Sequence, residues 1–186
     1  MSDQHNSPQP WKILSETQIA TCRIFDVYSR HCHHPSGKDG TFYALKLANW
    51  ALALPITENR ELILVQQYRF AANTLSWEVP GGIINPDETP LEAAARELHE
   101  ETGYGGHNPK LIGSCLPNPA ILTNRAYFVL IENCSKNHET QWDQHEELQI
   151  KLVSLDQAFK MAHSGKIQNG VTLNALFALK LHLDHG

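Results

Sequence analysis

Apolar and polar positions alternate along the chain in short runs, a pattern that predicts β-strands over much of its length. Two such runs, CRIFDVYSRHCHH at 22–34 and GTFYALKL at 40–47, lie on either side of the turn PSGKDG and predict a hairpin or small antiparallel sheet. Two strongly apolar runs follow, NWALALPIT at 49–57 and ELILVQQYRF at 61–70. These are expected to be central strands of the main sheet.

The second half of the chain mixes strands with helices. The run SWEVPGGI at 76–83 predicts a short strand that ends at its Pro-Gly-Gly sequence, 109–134 predicts two strands around a proline-rich loop, and 147–155 predicts another strand. Helical patterns follow at about 154–163, which begins with a Ser-x-x-Gln capping box, and at about 171–183. This order predicts an α/β fold in which a mixed sheet is covered on both faces.

The segment 90–102 carries clear signals for both ends of a helix. Thr89 is suited to be the N-cap, Pro90 fits the first helical position, and Glu92 completes a Thr-x-x-Glu capping box. Gly103 supplies the left-handed residue that commonly ends a helix. The backbone of this helix is therefore expected to be well defined.

At about 100° per residue, this helix is expected to have an apolar side that packs on the sheet and a separate acidic side. The apolar side comprises Leu91, Ala94, Ala95 and Leu98. The acidic side comprises Ala93, Glu97, Glu100 and Glu101. On the remaining arc, Glu92 and Arg96 are spaced for an ion pair and His99 is expected at the surface, which leaves the three glutamates of the acidic side without a positive partner.

Composition narrows the range of partners. The 186 residues are expected to form one domain, with 15 Lys and Arg against 20 Asp and Glu and a net charge of −5. Because the chain has no run of basic residues, neither nucleic acid nor a membrane surface is the expected partner. It begins without the pattern of a secretory signal, and no apolar run approaches the ~18 residues of a membrane helix. A cytoplasmic protein with four free cysteines is expected.

The acidic side of the helix is the strongest candidate for chemistry. Adjacent glutamates on a helix are usually only solvated, but here a Gly81-Gly82 pair and a further acid, Glu88, precede the helix. Hard oxygen ligands at fixed spacing suit Mg²⁺ or Mn²⁺, which keep several waters and bridge to substrate phosphates. Such a cation would offset the repulsion among the three glutamates.

The spacing of these residues resembles a complete Nudix box. Its residues are Gly82, Glu88, Arg96, Glu97, Leu98, Glu100, Glu101, Gly103 and Tyr104. The resemblance implies a Nudix-type α/β/α sandwich with a mixed β-sheet, plus an N-terminal antiparallel β-sheet extension. It also implies a divalent-metal enzyme that hydrolyses a nucleoside diphosphate linked to another group.

The same resemblance assigns roles within the box. Glu97 and Glu101 would be the principal metal ligands, with Glu100 as a further ligand and the Gly81 carbonyl as a possible one. Metal ions so held would neutralise the pyrophosphate and lower the pKa of a bound water, so that hydroxide can attack phosphorus at neutral pH. The residues implied to orient these ligands by ion pairing are Arg96 and Glu88.

Stretches outside the box resemble the ADP-ribose and nucleoside diphosphate sugar pyrophosphatase branch of the family. They are LVQQYRFA, WEVPGG, LPNPAILTNR and HEELQIKLVSLDQAFKMAHSGKI. The resemblance places Arg69 on substrate phosphate and Glu78 beside the nucleotide sugar, while Gly82 lets the substrate approach closely. Alternatively, Arg69 only caps a strand end and Glu78 pairs with a surface lysine. Asn124 or a neighbour stands where ADP-ribose-specific members often carry an acid, which weakens a strict assignment to ADP-ribose.

Members of this branch often take the catalytic base from a late acidic loop. Here DQHEELQI supplies Asp143, Glu146 and Glu147. Glu146 is favoured because it lies at the start of the strand leading into KLVSL and matches the spacing of the family. Two alternatives stay open: Glu146 is only a metal ligand, or Glu100 or Glu101 is the base.

The run HCHH at 31–34 could also be interpreted as a zinc-binding site. On a strand, alternation puts His31 and His33 opposite Cys32 and His34, and no second cluster supplies matching ligands. A solvated strand end is therefore the expected role of this run.

The chain is predicted to consist of a flexible tail at 1–10, an N-terminal antiparallel extension at 11–46 and a Nudix hydrolase domain at 47–186. In nucleotide-sugar hydrolases with such an extension, it commonly exchanges across a two-fold axis and the partner subunit completes the base pocket. A homodimer is therefore expected, although periodicity alone equally allows a monomer with an appended hairpin.

The expected function is divalent-metal-dependent hydrolysis of nucleoside diphosphate sugars, such as ADP-ribose or GDP-mannose, to a nucleoside monophosphate and a sugar phosphate. The runner-up is another Nudix specificity, for dinucleoside polyphosphates or a nucleoside triphosphate. A sensor that binds nucleotide sugars without hydrolysing them is disfavoured. Such sensors tend to lose box glutamates and to gain a DNA-binding domain, whereas this sequence has an intact box and is expected to leave no room for such a domain.

Overall fold

The computed structural model describes residues 7–142 and 147–185, and this described part contains ten strands and three helices. None of these helices is long and apolar enough to cross a membrane. Strands dominate the first half and two helices end the chain, in the order that the sequence predicts.

A three-stranded antiparallel sheet forms the N-terminal unit, Met1–Ala48 with Asn118–Asn124. Its strands are β1 (Lys12–Thr21), β2 (Asp26–His33) and β3 (Asp39–Lys46). Two backbone hydrogen bonds tie the later segment to β3: Leu45 N–H donates to the Ile121 carbonyl at 2.7 Å, and Thr123 N–H donates to the Leu45 carbonyl at 3.1 Å. The predicted antiparallel extension is present, and it includes a loop segment that the sequence pattern does not assign to it.

A seven-stranded mixed sheet is the centre of the larger unit, Asn49–Pro117 with Arg125–Gly186. Its strands are β4 (Trp50–Thr57), β5 (Glu61–Arg69), β6 (Thr74–Glu78), β7 (Gly81–Ile83), β8 (Tyr104–Cys115), β9 (Ala126–Lys136) and β10 (Gln149–Ser154). The main order is β10-β5-β4-β9-β8, with β6 beside β5 and β7 beside β4. Among these strands β4 and β9 pair in parallel and the other neighbours pair antiparallel, so the sheet is mixed, as predicted.

Helices cover both faces of this mixed sheet. They are α1 (Pro90–Thr102), α2 (Leu155–His163) and α3 (Gly170–His185). Along β5, Ile63 faces a core that it shares with Leu98 of α1, whereas Leu62 and Leu64 face the opposite core with Met161 of α2. This alternation follows from the two-residue period of a strand. Each of these buried side chains stabilises the fold by about 1.5–3 kcal/mol, and the α/β/α sandwich is confirmed.

The predicted strand at 76–83 is in fact two strands, β6 and β7, which pair with different neighbours. Pro80 lies between them and has no N–H to donate to a ladder. Its carbonyl accepts a hydrogen bond from Ala53 N–H of β4 at 2.8 Å. The chain therefore changes partner strands at this proline, and β7 continues beside α1.

Helix α1 begins and ends as predicted, but the side that it buries differs from the prediction. Thr89 and Glu92 form the capping box, and Gly103 ends the helix with a φ of 72°. The buried residues are Ala93, Ala94, Leu98, Glu101 and Thr102. Ala95, expected to face the sheet, is exposed. The buried side therefore includes Glu101, whose carboxylate accepts a hydrogen bond from the backbone of β7.

Candidate active site

The side chain of Arg96 is the centre of the acidic cluster. Its Nε and Nη2 atoms donate to the two carboxylate oxygens of Glu88, at 2.6 and 3.0 Å. Its Nη1 atom donates to Glu97 at 2.8 Å and to Glu100 at 2.9 Å, and Nη2 also donates to the Ile83 carbonyl at 2.9 Å. One guanidinium thus holds three carboxylates, in the fork geometry that suits arginine.

This arrangement corrects two expectations about the charges on α1. Arg96 pairs with Glu88 rather than with Glu92, whose carboxylate instead accepts hydrogen bonds from the N-cap residue Thr89. The glutamates of the acidic side also have partners, since Arg96 contacts two of them and a β7 N–H contacts Glu101. Spacing along a helix predicts only neighbours on the same helix. Glu88 approaches from the turn before it.

Glu88 is held in that turn by two donors. Its Oε2 atom accepts a hydrogen bond from Asn85 N–H at 3.0 Å, and both of its oxygens accept from Arg96. The hydrogen bond from Arg96, followed by that from Asn85, lowers the pKa of Glu88 to about 2. The same contact raises the pKa of Arg96. Both groups are therefore ionised at neutral pH.

The Gly81-Gly82 turn lies so close to its neighbours that neither position has room for a side chain. A Cβ atom on Gly82 would lie 2.5 Å from Oε1 of Glu97. A Cβ atom on Gly81 would lie 2.5 Å from the carbonyl oxygen of Ala51, while Gly81 N–H donates to Oε2 of Glu101 at 3.2 Å. The two glycines therefore let the β7 backbone approach both of the expected principal metal ligands.

The three glutamates of α1 supply the hard oxygen donors that divalent cations prefer. Glu101 is 4% exposed, whereas the side chains of Glu97 and Glu100 are 14% and 36% exposed. Within residues 7–142 and 147–185, no three His, Cys, Asp or Glu side chains are already gathered as a metal site. The donor set fits a divalent cation when Glu97 and Glu100 share their oxygens between that cation and Arg96.

Arg69 and Glu78, predicted separately to contact substrate, form a bidentate ion pair with each other. Arg69 Nε donates to Oε1 at 2.9 Å and Nη2 donates to Oε2 at 2.7 Å, so the partner of Glu78 is this arginine and not a surface lysine. Arg69 lies six residues after Ile63 on β5 and therefore on the sheet face that α1 covers. The Glu78 side chain is 4% exposed and that of Arg69 is 46% exposed. A buried carboxylate thus orients a guanidinium that reaches the surface.

Asn124 and Glu146 are the remaining predicted site residues. Asn124 belongs to the N-terminal unit and is 1% exposed. Its side-chain nitrogen and oxygen have no hydrogen-bond partner among the described residues. Glu146 and Asp143 lie outside the described residues, whereas Glu147 is described and exposed, just before β10.

The expectation that His99 lies at the surface is met only in part, because the residue is half-buried. Its ring packs edge-on against the ring of His138, with 4.1 Å between centroids and an interplanar angle of 88°. Its Nε2 atom is buried and has no hydrogen-bond partner in the part of the chain that the structure describes. Helical spacing gave no sign of this contact, because His138 comes from the segment after β9.

Contacts between residues 137–142 and α1 are also absent from the sequence predictions. This segment has no helical or strand periodicity, so no local pattern places it against a helix. The available signal is Trp142, the single large apolar side chain in the polar run 135–147. A lone tryptophan in such a run indicates contact with another element, and Trp142, which is 40% exposed, makes it through its indole N–H, which donates to the Glu101 carbonyl at 3.0 Å.

The fold and the acidic cluster together define a class of protein. The α/β/α sandwich has a helix, beside a glycine turn, whose carboxylates suit a divalent cation. On the same face of the sheet lies an arginine whose guanidinium suits phosphate. The NUDIX domain model matches residues 47–173, and the chain belongs to the Nudix family. Its expected membership in the ADP-ribose pyrophosphatase branch is confirmed by the relatives that follow.

Two curated relatives and one solved structure illustrate this similarity. The ADP-ribose pyrophosphatase of Bacillus subtilis (strain 168) is 27% identical over 171 residues, which cover 91% of this chain and 92% of the relative. The ADP-ribose pyrophosphatase of Escherichia coli (strain K12) is 32% identical over 142 residues, which cover 71% of this chain and 68% of the relative. The crystal structure of an ADP compounds hydrolase has a similar fold, with a TM-score of 0.84 at 22% identity and coverage of 96% and 97% of the two chains.

Proposed function

We propose that the protein hydrolyses the pyrophosphate bond of nucleoside diphosphate sugars, with ADP-ribose and GDP-mannose as candidate substrates, to a nucleoside monophosphate and a sugar phosphate. The observation that carries this proposal is the carboxylate cluster around Arg96 beside the Gly81-Gly82 turn, in a chain of the Nudix family. Relatives named ADP-ribose pyrophosphatase support the substrate class. Because a fold hosts many functions, the chemistry of the site has to account for the reaction.

A divalent metal ion is a general requirement of Nudix hydrolases, and we infer that Mg²⁺ or Mn²⁺ serves here. Its proposed ligands are Glu97 and Glu101, with Glu100 as a further ligand and the Gly81 carbonyl as an additional oxygen. When bound, such an ion neutralises the pyrophosphate and lowers the pKa of a bound water. Arg96 contributes by orienting two of these carboxylates through its ion pairs with Glu97 and Glu100.

Arg69 is the residue proposed to bind a substrate phosphate. Its guanidinium is oriented by the buried Glu78 carboxylate, so little side-chain freedom has to be lost when an anion binds. Glu78 is proposed to lie beside the nucleotide sugar, and Gly82 is proposed to leave room for the substrate. Asn124 is a further proposed contact, because a buried amide without a partner among the described residues suits a polar group of a ligand.

Glu146 is the proposed general base, with Glu100 and Glu101 as the alternatives. A base variant lowers kcat and leaves metal affinity unchanged, whereas a ligand variant weakens metal binding as well. We expect Glu146→Gln to behave in the first way and Glu101→Gln in the second. Steady-state kinetics at several Mg²⁺ concentrations distinguish the two patterns, and an unchanged kcat for Glu146→Gln would transfer the role to a glutamate of α1.

A substrate panel tests the proposed reaction. Wild-type protein is incubated with Mg²⁺ and ADP-ribose, GDP-mannose, ADP-glucose, UDP-glucose, diadenosine polyphosphates or GTP, and the products are separated. Release of a nucleoside monophosphate from at least one of the nucleotide sugars is the expected result. If diadenosine polyphosphates or GTP are cut and none of the sugars is, the runner-up specificity is correct. Binding of a nucleotide sugar without cleavage would make the protein a sensor.

We further propose that the protein is a homodimer that associates through its N-terminal sheet. All ten residues of β1 are exposed on both faces of the strand, which is unusual for a strand in a globular protein. The large apolar residues exposed on it are Ile13, Leu14 and Ile19. A groove of about 300 Å³ in the same unit is lined by Trp11, Ile13, Phe42 and Leu122. A second copy of the chain is the occupant that would bury these side chains.

Analytical ultracentrifugation tests the homodimer. The protein is expected to sediment at twice the 20.9 kDa mass of one chain, and Ile13→Asp is expected to shift it towards the mass of one chain. Charge placed in an apolar interface is costly to bury, which is why a single substitution is enough. Sedimentation of the wild-type protein as a single chain at micromolar concentration would refute the proposal.

A cytoplasmic location is a proposal supported by the state of the cysteines. All four are free thiols, and Cys32 and Cys134 are buried. Burial raises the pKa of Cys134 to about 11, so its thiol stays protonated and unreactive. Free thiols fit a reducing compartment. Localisation of a fluorescent fusion protein would test this proposal, and fluorescence outside the cytoplasm would contradict it.

A further inference from the structure

The segment 137–142, which follows β9, runs across the last turn of α1. Asn137 N–H and His138 N–H both donate to the Gly103 carbonyl at 3.1 Å. Further along, Gln141 N–H donates to the Glu100 carbonyl at 2.8 Å. The ring contact between His138 and His99 lies on the same turn. The segment is thus attached to the end of the helix both at its start and at Gln141.

These contacts satisfy backbone groups that a helix leaves unpaired. The last four carbonyls of an α-helix have no partner within the helix, and they need donors from elsewhere. In α1, His99 O accepts from the N–H of the C-cap Gly103, Glu100 O accepts from Gln141, and Glu101 O accepts from Nε1 of Trp142 at 3.0 Å. The segment therefore supplies donors for the two carbonyls that belong to the glutamates at the end of α1.

Glu101 is held at both ends by this arrangement. Its carboxylate accepts a hydrogen bond from Gly81 N–H at 3.2 Å, and its carbonyl accepts from the Trp142 indole. The residue is 4% exposed. Since helix ends fray when their carbonyls lose donors, the indole restrains the turn from which this carboxylate projects.

Gly103 makes the close approach of the segment possible. It has a φ of 72°, and a Cβ atom at this position would lie 2.3 Å from the His138 carbonyl oxygen. The glycine therefore serves two purposes, as the left-handed end of α1 and as the contact surface for the following segment. The residue that ends α1 is therefore also the residue against which the segment packs.

We propose that Trp142 is a positioning residue that holds Glu101 in place for metal binding through the hydrogen bond to its carbonyl. The proposal rests on the metal-binding role of Glu101 in the proposed function. The indole of Trp142 contacts the backbone of Glu101 and not its carboxylate oxygens. Trp142 is therefore expected to change the affinity for metal by positioning Glu101 and not by binding the metal itself. Arg69, the proposed phosphate contact, lies on β5 and not on α1.

Trp142→Phe removes the N–H donor and keeps an aromatic ring in its place. Loss of one hydrogen bond to the ligand turn is expected to weaken Mn²⁺ binding by about three- to tenfold. Binding is measured by electron paramagnetic resonance of free Mn²⁺ in the absence of any nucleotide. The matched control is Trp77→Phe on β6, whose ring lies against Lys151 and packs on the core that includes residues of α2 and α3. This control is expected to keep wild-type Mn²⁺ affinity.

A second variant and an activity assay complete the test. His138→Ala, which removes the ring contact with His99, is expected to weaken Mn²⁺ binding in the same direction and replaces Trp142→Phe if that variant does not fold. In the hydrolysis assay, a higher Mn²⁺ requirement with unchanged KM for nucleotide sugar is expected. Mn²⁺ affinity equal to wild type in folded Trp142→Phe overturns the proposal, as does the absence of Mn²⁺ binding by wild-type protein. Wild-type Mn²⁺ binding without cleavage of any nucleotide sugar would instead refute the proposed function alone.

Discussion

At the scale of single residues, side chains added at the two adjacent glycines Gly81 and Gly82 would collide with different kinds of atoms. A side chain at Gly82 would collide with the carboxylate of Glu97, which is the far end of a flexible side chain. A side chain at Gly81 would collide with the carbonyl oxygen of Ala51, which is part of the backbone of β4. A side chain can rotate away from a methyl group, but a paired strand cannot. A substitution at Gly82 is therefore expected to affect function, and a substitution at Gly81 is expected to affect stability.

Alanine at these two positions is expected to separate the two properties. Gly82→Ala displaces Glu97, so turnover is expected to fall at least about tenfold while Tm stays within about 3 °C of wild type. Gly81→Ala strains the pairing of β7 with β4 and is expected to lower the free energy of unfolding by about 1–3 kcal/mol. Thermal unfolding and steady-state hydrolysis of a nucleotide sugar are measured on both variants. Wild-type turnover of the Gly82→Ala protein would contradict the expected displacement of Glu97 from its working position.

The pKa of Glu88 makes a prediction about acid stability. Its pKa is lowered from 4.5 to about 2 in the folded protein, so the stability that its ionised form contributes is fully present above pH 4.5 and is lost as the pH falls towards 2. Glu88→Gln cannot titrate. The free energy of unfolding of wild type is therefore expected to fall more steeply between pH 5 and pH 2.5 than that of the variant, as measured by urea denaturation. Parallel pH profiles would mean that Glu88 has a normal pKa.

At the scale of elements, α1 shows which features a sequence can predict. Its N-cap, capping box and C-cap depend on residues within three or four positions, so Thr89, Glu92 and Gly103 were sufficient to place both ends. Its buried side depends on the strands against which it packs, which are distant in sequence, and the prediction that Ala95 packs on the sheet is wrong. Likewise, helical spacing could not show that Arg96 takes its main partner from the preceding turn.

The start of α1 can be tested as a separate element. Thr89→Ala removes the side-chain acceptor for Glu92 N–H and one half of the capping box, and is expected to lower the free energy of unfolding by about 1 kcal/mol. Thr89→Ser keeps the hydroxyl and is the matched control, with a change of a few tenths of that value. Urea denaturation measures both. If alanine and serine have the same effect, the hydroxyl does not cap the helix in solution.

At the scale of the whole molecule, the strand order arises from pairings between distant parts of the sequence. Strands β4 and β9 pair in parallel although their first residues, Trp50 and Ala126, are far apart along the chain. Apolar runs predicted that these strands exist and are buried, but such runs do not name their neighbours. For the candidate site, likewise, the local features were predictable and the contacts between distant parts of the chain were not. Its box residues came from local spacing, whereas the Arg69–Glu78 pair and the contact with Trp142 required the tertiary structure.

Removal of divalent cations tests how far the whole fold depends on metal. Because Arg96 already neutralises part of the acidic cluster, protein treated with a chelator is expected to lose hydrolysis completely and to keep its Tm within about 3 °C. Readdition of Mg²⁺ is expected to restore activity without a refolding step. A chelator-induced drop in Tm of ten degrees or more would show that the metal, and not the arginine, holds the glutamates together.

The ion pairs of Arg96 have a consequence for the protein in the absence of metal. Because Glu88, Glu97 and Glu100 already share a counter-ion, the fold is not expected to need a divalent cation in order to form. With the metal requirement proposed above, the amount of folded protein would not depend on the supply of divalent cation, whereas its activity would.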